Sequence, residues 1–215
     1  MLSDLGEYEH IKEFNPKVKK LDSVHNNLLL KFNAGDKNYN FNCFIHNEAQ
    51  EYAESGQGAT YVVFNEIENS DESIQSEIVS YYTLMSTAIP YEDKVKLDPE
   101  EAKSSGKEYD VEICGVSAVE IKMFAVSKKY QDIFYEYEGQ SLPIAAWILK
   151  DIVNYTNSLI TSIVGFQALF LHSVPEAEDF YLKNGFKLIE DSMKPLYCVD
   201  YDFKPMYLAL RNIPI

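Results

Sequence analysis

Apolar residues along this chain switch between a period of two and a period near 3.6, and the switches mark out its elements. Ile11, Phe14, Val18 and Leu21 recur at near-helical spacing around Pro16, so residues 1–25 predict a lead-in helix or an ordered arm. Asn27–Phe32 reads as a short strand, and Gly35–Lys37 as a turn. Between Asn42 and Tyr52, the residues Phe44, Ile45, Ala49 and Tyr52 make one helical face, which Gly56 and Gly58 stop. Thr60–Ile67 and Ile78–Ala88 are β-branched and aromatic and predict two strands, joined by the polar stretch Glu68–Ser76. Pro90–Asp110 is charged and predicts a mobile connection.

Val111–Val126 predicts strand again, with a break near Gly115. Ser141 and Pro143 suit a helix start, because serine caps the first turn and proline is tolerated in it. Ile144, Ala145, Ile148, Leu149, Ile152 and Val153 then form an apolar face that runs to Thr156. Residues 158–165 predict a second short helix ended by Gly165. Gln167–His172 reads as a buried strand, Glu176–Asn184 as a helix, and Lys187–Glu190 and Met206–Leu210 as final strands. Strands and helices in this order imply a mixed sheet with helices on both faces.

Ala177–Phe186 (AEDFYLKNGF) has the pattern of a short helix turning sharply into a strand. Gly185 supplies a left-handed stop that a side chain penalises, and Phe186 starts the strand in the core. Tyr181, four residues before the glycine, is held by the helix as a core residue or as a proton donor.

Composition narrows the picture. The 215 residues are 46% hydrophobic, with 16 Tyr and 12 Phe, enough for one well-filled domain. No apolar run has the length of a membrane helix, and the first residues lack the order of a secretion signal. Cys43, Cys114 and Cys198 are odd in number and far apart, and no CxxC occurs. A disulfide framework or structural zinc site is thus not expected, and a reducing cytoplasm is the simple location. His10, His25 and His46 have no metal-ligand spacing. Nineteen Lys and Arg against 34 Asp and Glu give a formal charge of -15. That field repels phosphate backbones, which argues against direct nucleic-acid binding. It favours cationic ligands or basic partners, or serves solubility alone.

Two segments, Glu120–Gln131 (EIKMFAVSKKYQ) and Pro175–Phe186 (PEAEDFYLKNGF), lie a helix and a strand apart. Together they resemble the GNAT superfamily of N-acetyltransferases. FNAG, FIHNEAQEYAESGQGATYVVF and IVSYYTL, between Phe32 and Leu84, resemble the N-terminal half of a bacterial subgroup that includes aminoacyl-tRNA-acetylating toxins. The resemblance covers residues 25–190. It implies an α/β (by some schemes α+β) acyl-CoA N-acyltransferase fold, with a central mixed, mostly antiparallel twisted sheet flanked by helices. It further implies a single domain over 1–215, with 1–25 as an N-terminal arm.

The implied cofactor is acetyl-CoA, as acetyl donor to an amine that attacks the thioester directly. By resemblance, the backbone of Met123, Phe124, Ala125 and Val126 holds the pantetheine arm. Phe124 or Ala125 supplies the N–H for the developing oxyanion. Gln131 matches the start of the family's pyrophosphate loop, but the chain then departs from it. DIFYEYEGQSLP replaces a tight glycine loop, with Asp132, Glu136 and Glu138 acidic and Gly139, Gln140 and Ser141 nearest the helix. Lys128 and Lys129 offset that charge or line a solvated edge.

Tyr181 matches the tyrosine that protonates the departing thiolate. Glu120 matches a glutamate base, or is structural or substrate-orienting. Ser173 stands where relatives touch the cofactor, whereas Val174 replaces a frequent asparagine. His172 reads as a packed strand residue. The implied acceptor is an amine-bearing small molecule, or a protein lysine or N-terminus. Aminoacyl-tRNA is the subgroup's suggestion, and the net charge opposes it. A homodimer is the family default, and no membrane partner is expected. The acidic loop and the missing asparagine support a competing expectation, a binding or regulatory protein of this fold with weak turnover.

Overall fold

The computed structural model describes residues 9–22, 26–68, 74–193 and 202–210. They divide into two compact units, one within 1–85 and 121–155, the other within 86–120 and 156–215. No described helix is long and apolar enough to cross a membrane.

In chain order the elements begin with strands β1 (Glu9–Ile11) and β2 (Pro16–Lys20) and helix α1 (Asn26–Leu29). A 3-10 turn (Asp36–Asn38), α2 (Tyr39–Cys43), a π-helical turn (Phe44–Glu48) and α3 (Ala49–Glu54) follow. Next come β3 (Ala59–Glu68), β4 (Ile74–Lys96), α4 (Pro99–Ser105) and β5 (Tyr109–Val126). After a 3-10 turn (Lys128–Tyr130) come β6 (Ile133–Tyr137), β7 (Gln140–Pro143) and α5 (Ile144–Ser162). The last elements are β8 (Ala168–Ser173), a 3-10 turn (Pro175–Ala177), α6 (Glu178–Lys183), β9 (Lys187–Leu188) and β10 (Lys204–Ala209).

In the first unit β2 pairs antiparallel with β3, and β3 antiparallel with β4 from Ala59↔Leu84 to Glu68↔Ile74. β1 pairs parallel with β6, which pairs antiparallel with β7. Leu29, Phe32, Phe44, Ile45, Phe64, Tyr81 and Ala125 share one buried core, with Met123 and Leu21 packed on it. The Tyr81 hydroxyl donates to the Phe41 carbonyl at 2.7 Å, and burial pushes that phenol up. In the second unit β5 pairs parallel with β8, and β10 lies antiparallel to both β8 and β9. Its core joins Ile89, Val116, Ala118, Ala168, Phe170, Met193 and Tyr207. The expected mixed, mostly antiparallel sheet and flanking helices are present.

Several elements depart from the sequence reading. Of the two expectations for 1–25, a lead-in helix or an ordered arm, the helix is not what forms, since β1 and β2 are strand. Pro16 opens β2, where a missing N–H is tolerated. Residues 1–8 and 23–25 of that arm lie outside the described residues. Asn27–Phe32 is helix and turn, because Leu29 and Phe32 sit three apart and both bury. Residues 69–73 of the polar connection after β3, and Cys198, also lie outside. Pro90–Asp110 holds the rest of β4, then α4, capped by the Asp98 carboxylate at its start and by Gly106 at φ 68 at its end. β5 runs through Gly115 unbroken. Ser141 lies in β7 opposite Glu136, so it does not cap α5. α5 itself runs to Ser162 and absorbs the predicted second helix.

Candidate functional site

β5 carries the first motif from the second unit into the first. Its ladder with β8 joins Ala118↔Ala168, Val119↔Leu169 and Glu120↔Phe170, and β5 continues to Val126. In the first unit, the Ser80 hydroxyl donates to the Ala125 carbonyl at 2.8 Å. The Ser127 N–H donates to the Val79 carbonyl at 2.7 Å. Ala125 and Ser127 therefore turn their backbone toward β4. Backbone groups alternate sides along a strand, so Phe124 turns its own to the opposite edge. Of the two residues considered for the oxyanion, Phe124 has this orientation. Ala125 and Val126 are buried, and Met123 and Phe124 are half-buried.

The turn after β5 is fastened from within. The Gln131 amide donates to the carbonyls of Ala34 and Val126, each at 2.9 Å. The Lys128 N–H donates to the Asn33 carbonyl at 2.8 Å. Lys129 pairs with Glu77, and that hydrogen bond raises its pKa. Tyr130 donates to the same carboxylate at 2.9 Å, and burial raises its phenol. Lys128 is exposed, and among the described residues its ammonium has no ion pair. Gln131 and Lys129 thus hold the turn itself.

The expected long acidic loop is a tight hairpin. β6 and β7 pair up to Tyr137↔Gln140, so Glu138 and Gly139 alone make the turn. Both have positive φ, 51 and 75, as a two-residue primed hairpin turn demands. Gly139 therefore serves the hairpin, with Ser141 exposed beyond it. The Trp147 indole N–H donates to the Tyr135 carbonyl at 3.1 Å and ties α5 to the hairpin.

The second unit holds Glu120, His172, Ser173 and Tyr181. Glu120 and His172 are both buried, with Oε1 and Nδ1 3.7 Å apart. Phe170 meets the His172 ring edge-on at 4.9 Å. Ser173 is buried, and its hydroxyl donates to the Val174 carbonyl at 2.9 Å. On α6 the Tyr181 ring lies between Phe180 and Phe186, at 5.2 and 5.5 Å. Burial pushes its phenol up. Gly185 takes φ 88 and Phe186 is buried, as the helix-to-strand turn predicts.

Sequence reasoning did not pair Glu120 with His172 or Lys129 with Glu77. These pairs join residues far apart in the chain, and no spacing reveals them. It also missed a cavity of about 280 Å³ in the first unit, bordered by Leu29, Leu30, Ile45, His46, Asn47 and Gln50. His46 Nε2 lies 3.0 Å from the Phe32 carbonyl there. Among the described residues, no group of three or more His, Cys, Asp or Glu could hold a metal ion.

No family model matches the sequence, and no curated protein matches it. Solved structures do. A tyrosine-to-phenylalanine mutant of the toxin AtaT matches with a TM-score of 0.59 and 15% identity over 93% of each chain. AtaTR bound with acetyl-CoA matches at 0.58 and 17%, over 91% of this chain and 94% of that one. A tyrosine-to-phenylalanine mutant of KacT matches at 0.56 and 13%, over 90% and 94%. The fold is the acyl-CoA N-acyltransferase fold. At these identities the likeness concerns the backbone path. Within this acyl-CoA N-acyltransferase fold, the first motif runs along β5 and its following turn, and the second along β8's exit and α6.

Proposed function

We propose that the chain, as one domain over 1–215, transfers acetyl from acetyl-CoA to a primary amine. The observation that carries this reading is the end of β5, where the ladder with β8 stops at Glu120↔Phe170 and Phe124 turns its backbone away from β4. That orientation fits an amide-bearing pantetheine arm, which pairs as a further strand would. The fit is poorer at the phosphate end. Gln131 and Lys129 are engaged within the protein, so Lys128 and the backbone of 127–131 would hold the phosphates.

Acetyl-CoA supplies an activated acyl group, so the protein needs only alignment, an oxyanion donor and proton handling. The Phe124 N–H would meet the oxygen that gains charge. The Tyr181 hydroxyl, protonated at neutral pH, would give its proton to the leaving sulfur. Glu120, beside His172, would accept the proton lost by the amine.

The cavity near His46 has no Asp, Glu, Lys or Arg in its lining, and Ile45 and Leu29 share their core with Met123 and Ala125. That favours an amine on an apolar body, such as an aminoacyl group, over a polyamine. One similar structure is AtaT complexed with acetyl-methionyl-tRNAfMet, at a TM-score of 0.53 and 16% identity. With a formal charge of -15, tRNA docking here would need a local basic face or a basic partner.

The test is thermal unfolding with and without acetyl-CoA, followed by acetyl-CoA consumption across amines. Ligand at about 100 Kd should add about 2.7 kcal/mol of stability. No shift at millimolar cofactor would remove the enzyme reading and leave the binding-protein alternative.

A further inference from the structure

The face of the β5–β8 ladder that carries Glu120 is largely an apolar floor. Opposite residues share a face and successive residues alternate, so Ala118, Glu120, Ala168, Phe170 and His172 stand on it together. β10 extends this floor, with Tyr207 opposite Phe170 and Pro205 opposite His172. Ala118, Ala168, Phe170 and Tyr207 belong to one buried core. On that floor the side chains of Glu120 and His172 are 2% and 7% exposed.

Burying a carboxylate among such neighbours is costly unless a hydrogen bond is donated to it. Pro205 brings no polar side chain, and the Tyr207 hydroxyl donates to Glu190 Oε1 at 3.0 Å. His172 is better placed. Its Nδ1 stands 3.7 Å from Glu120 Oε1, within ion-pair range. That is about 0.8 Å longer than a formed hydrogen bond. Bonds at catalytic sites are often this long before ligand binds, and they tighten on binding. Phe170 fixes the imidazole from the side, meeting it edge-on at 4.9 Å and 84°. Packing alone accounts for a flat ring beside Phe170, and a phenylalanine would serve that purpose equally. A ring nitrogen is what the neighbouring carboxylate requires.

We propose that His172 is a positioning residue for the base: its Nδ1–H holds Glu120 Oε1 and leaves Oε2 to take the proton of the amine. This rests on Glu120 acting as the base of the proposed acetyl transfer. In that step the amine nitrogen bonds to the thioester carbon and gives one proton to Glu120 Oε2. The C–S bond breaks, and the sulfur takes the Tyr181 proton. Exchange with solvent then resets both groups. His172 keeps its own proton throughout. In a serine-hydrolase triad a carboxylate fixes the direction of an imidazole base. Here the imidazole fixes the direction of a carboxylate base.

Two substitutions separate the ring nitrogens. Asparagine places its amide nitrogen where Nδ1 stands, and glutamine where Nε2 stands. On a verified amine, His172→Gln should lower kcat about tenfold or more, with the KM for acetyl-CoA unchanged. His172→Asn should recover most of that loss. In a Glu120→Met background neither should lower kcat further, because residues that act as a unit are not additive. Nitrogen NMR of the imidazoles needs no substrate. Of the four histidines, the one lost in His172→Asn should carry its proton on Nδ1. In Glu120→Met it should return to the Nε2–H form that free histidine prefers. Equal kcat in the parent and both His172 variants, an undiminished loss in the Glu120→Met background, or an Nε2–H tautomer in the parent would each overturn the proposal. A parent without turnover on any amine would overturn the enzyme reading and this role with it, while the tautomer would still report whether the pair forms.

Discussion

Tyr181 satisfies two demands at once. Its ring packs against Phe180 and Phe186, while its phenol stays protonated far above neutral pH. Tyr181→Phe keeps the ring and removes only the proton. If the hydroxyl serves the leaving thiolate, turnover should fall by about 10²-fold with the unfolding temperature nearly unchanged. Turnover equal to the parent's on a verified amine would assign the ring to packing alone. The lysines separate similarly. The Lys129 ammonium is held by Glu77 and Lys128 is exposed. Lys128→Ala should raise the KM for acetyl-CoA about three- to tenfold at low salt, and Lys129→Ala less. Equal effects from both would show that Glu77 releases its partner on binding.

At the scale of elements, the β6–β7 turn asks most of its residues. Glu138 holds φ 51, a conformation that asparagine adopts more readily. Glu138→Asn, giving the Asn-Gly pair of a primed turn, should stabilise the protein by about 0.5–1 kcal/mol in urea unfolding. Asp98→Ala should cost about 1 kcal/mol, because the Asp98 carboxylate caps two N–H groups of α4. These turns also mark where the sequence was hard to read. β3 and β8 were legible as unbroken runs rich in apolar residues and buried on both faces, and α5 as a helix with one periodic apolar face. β6 and β7 were not, since Glu136 and Glu138 suggested a loop and Ser141 with Pro143 imitated a helix start. The far end of β4 was hidden because Glu92–Lys96 is charged on both faces, so its alternation carries no hydrophobic signal. The motif residues could be named in advance, but the hydrogen bonds that commit Gln131 and Lys129 depend on chain segments brought together by folding.

For the molecule as a whole, buried phenols set an alkaline limit. Burial raises Tyr61, Tyr81, Tyr82 and Tyr181 above the ordinary value of about 10. Their contribution to stability is complete below that pH and is lost as pH rises toward the folded values. Urea midpoints should therefore hold steady from neutral pH to about 10 and drop beyond it, with a smaller drop in Tyr181→Phe. The Gln131 bond to Ala34 has a consequence for how the chain reaches this state. It bridges a sequence separation of 97 residues, and Asn33 holds Lys128 alongside it. Closing so long a loop costs entropy before any contact repays it. The turn after β5 should thus acquire its shape late in folding, with the Lys128 amide among the last to gain protection in pulsed hydrogen exchange. Burial of β5 would then precede the ordering of the turn that follows it.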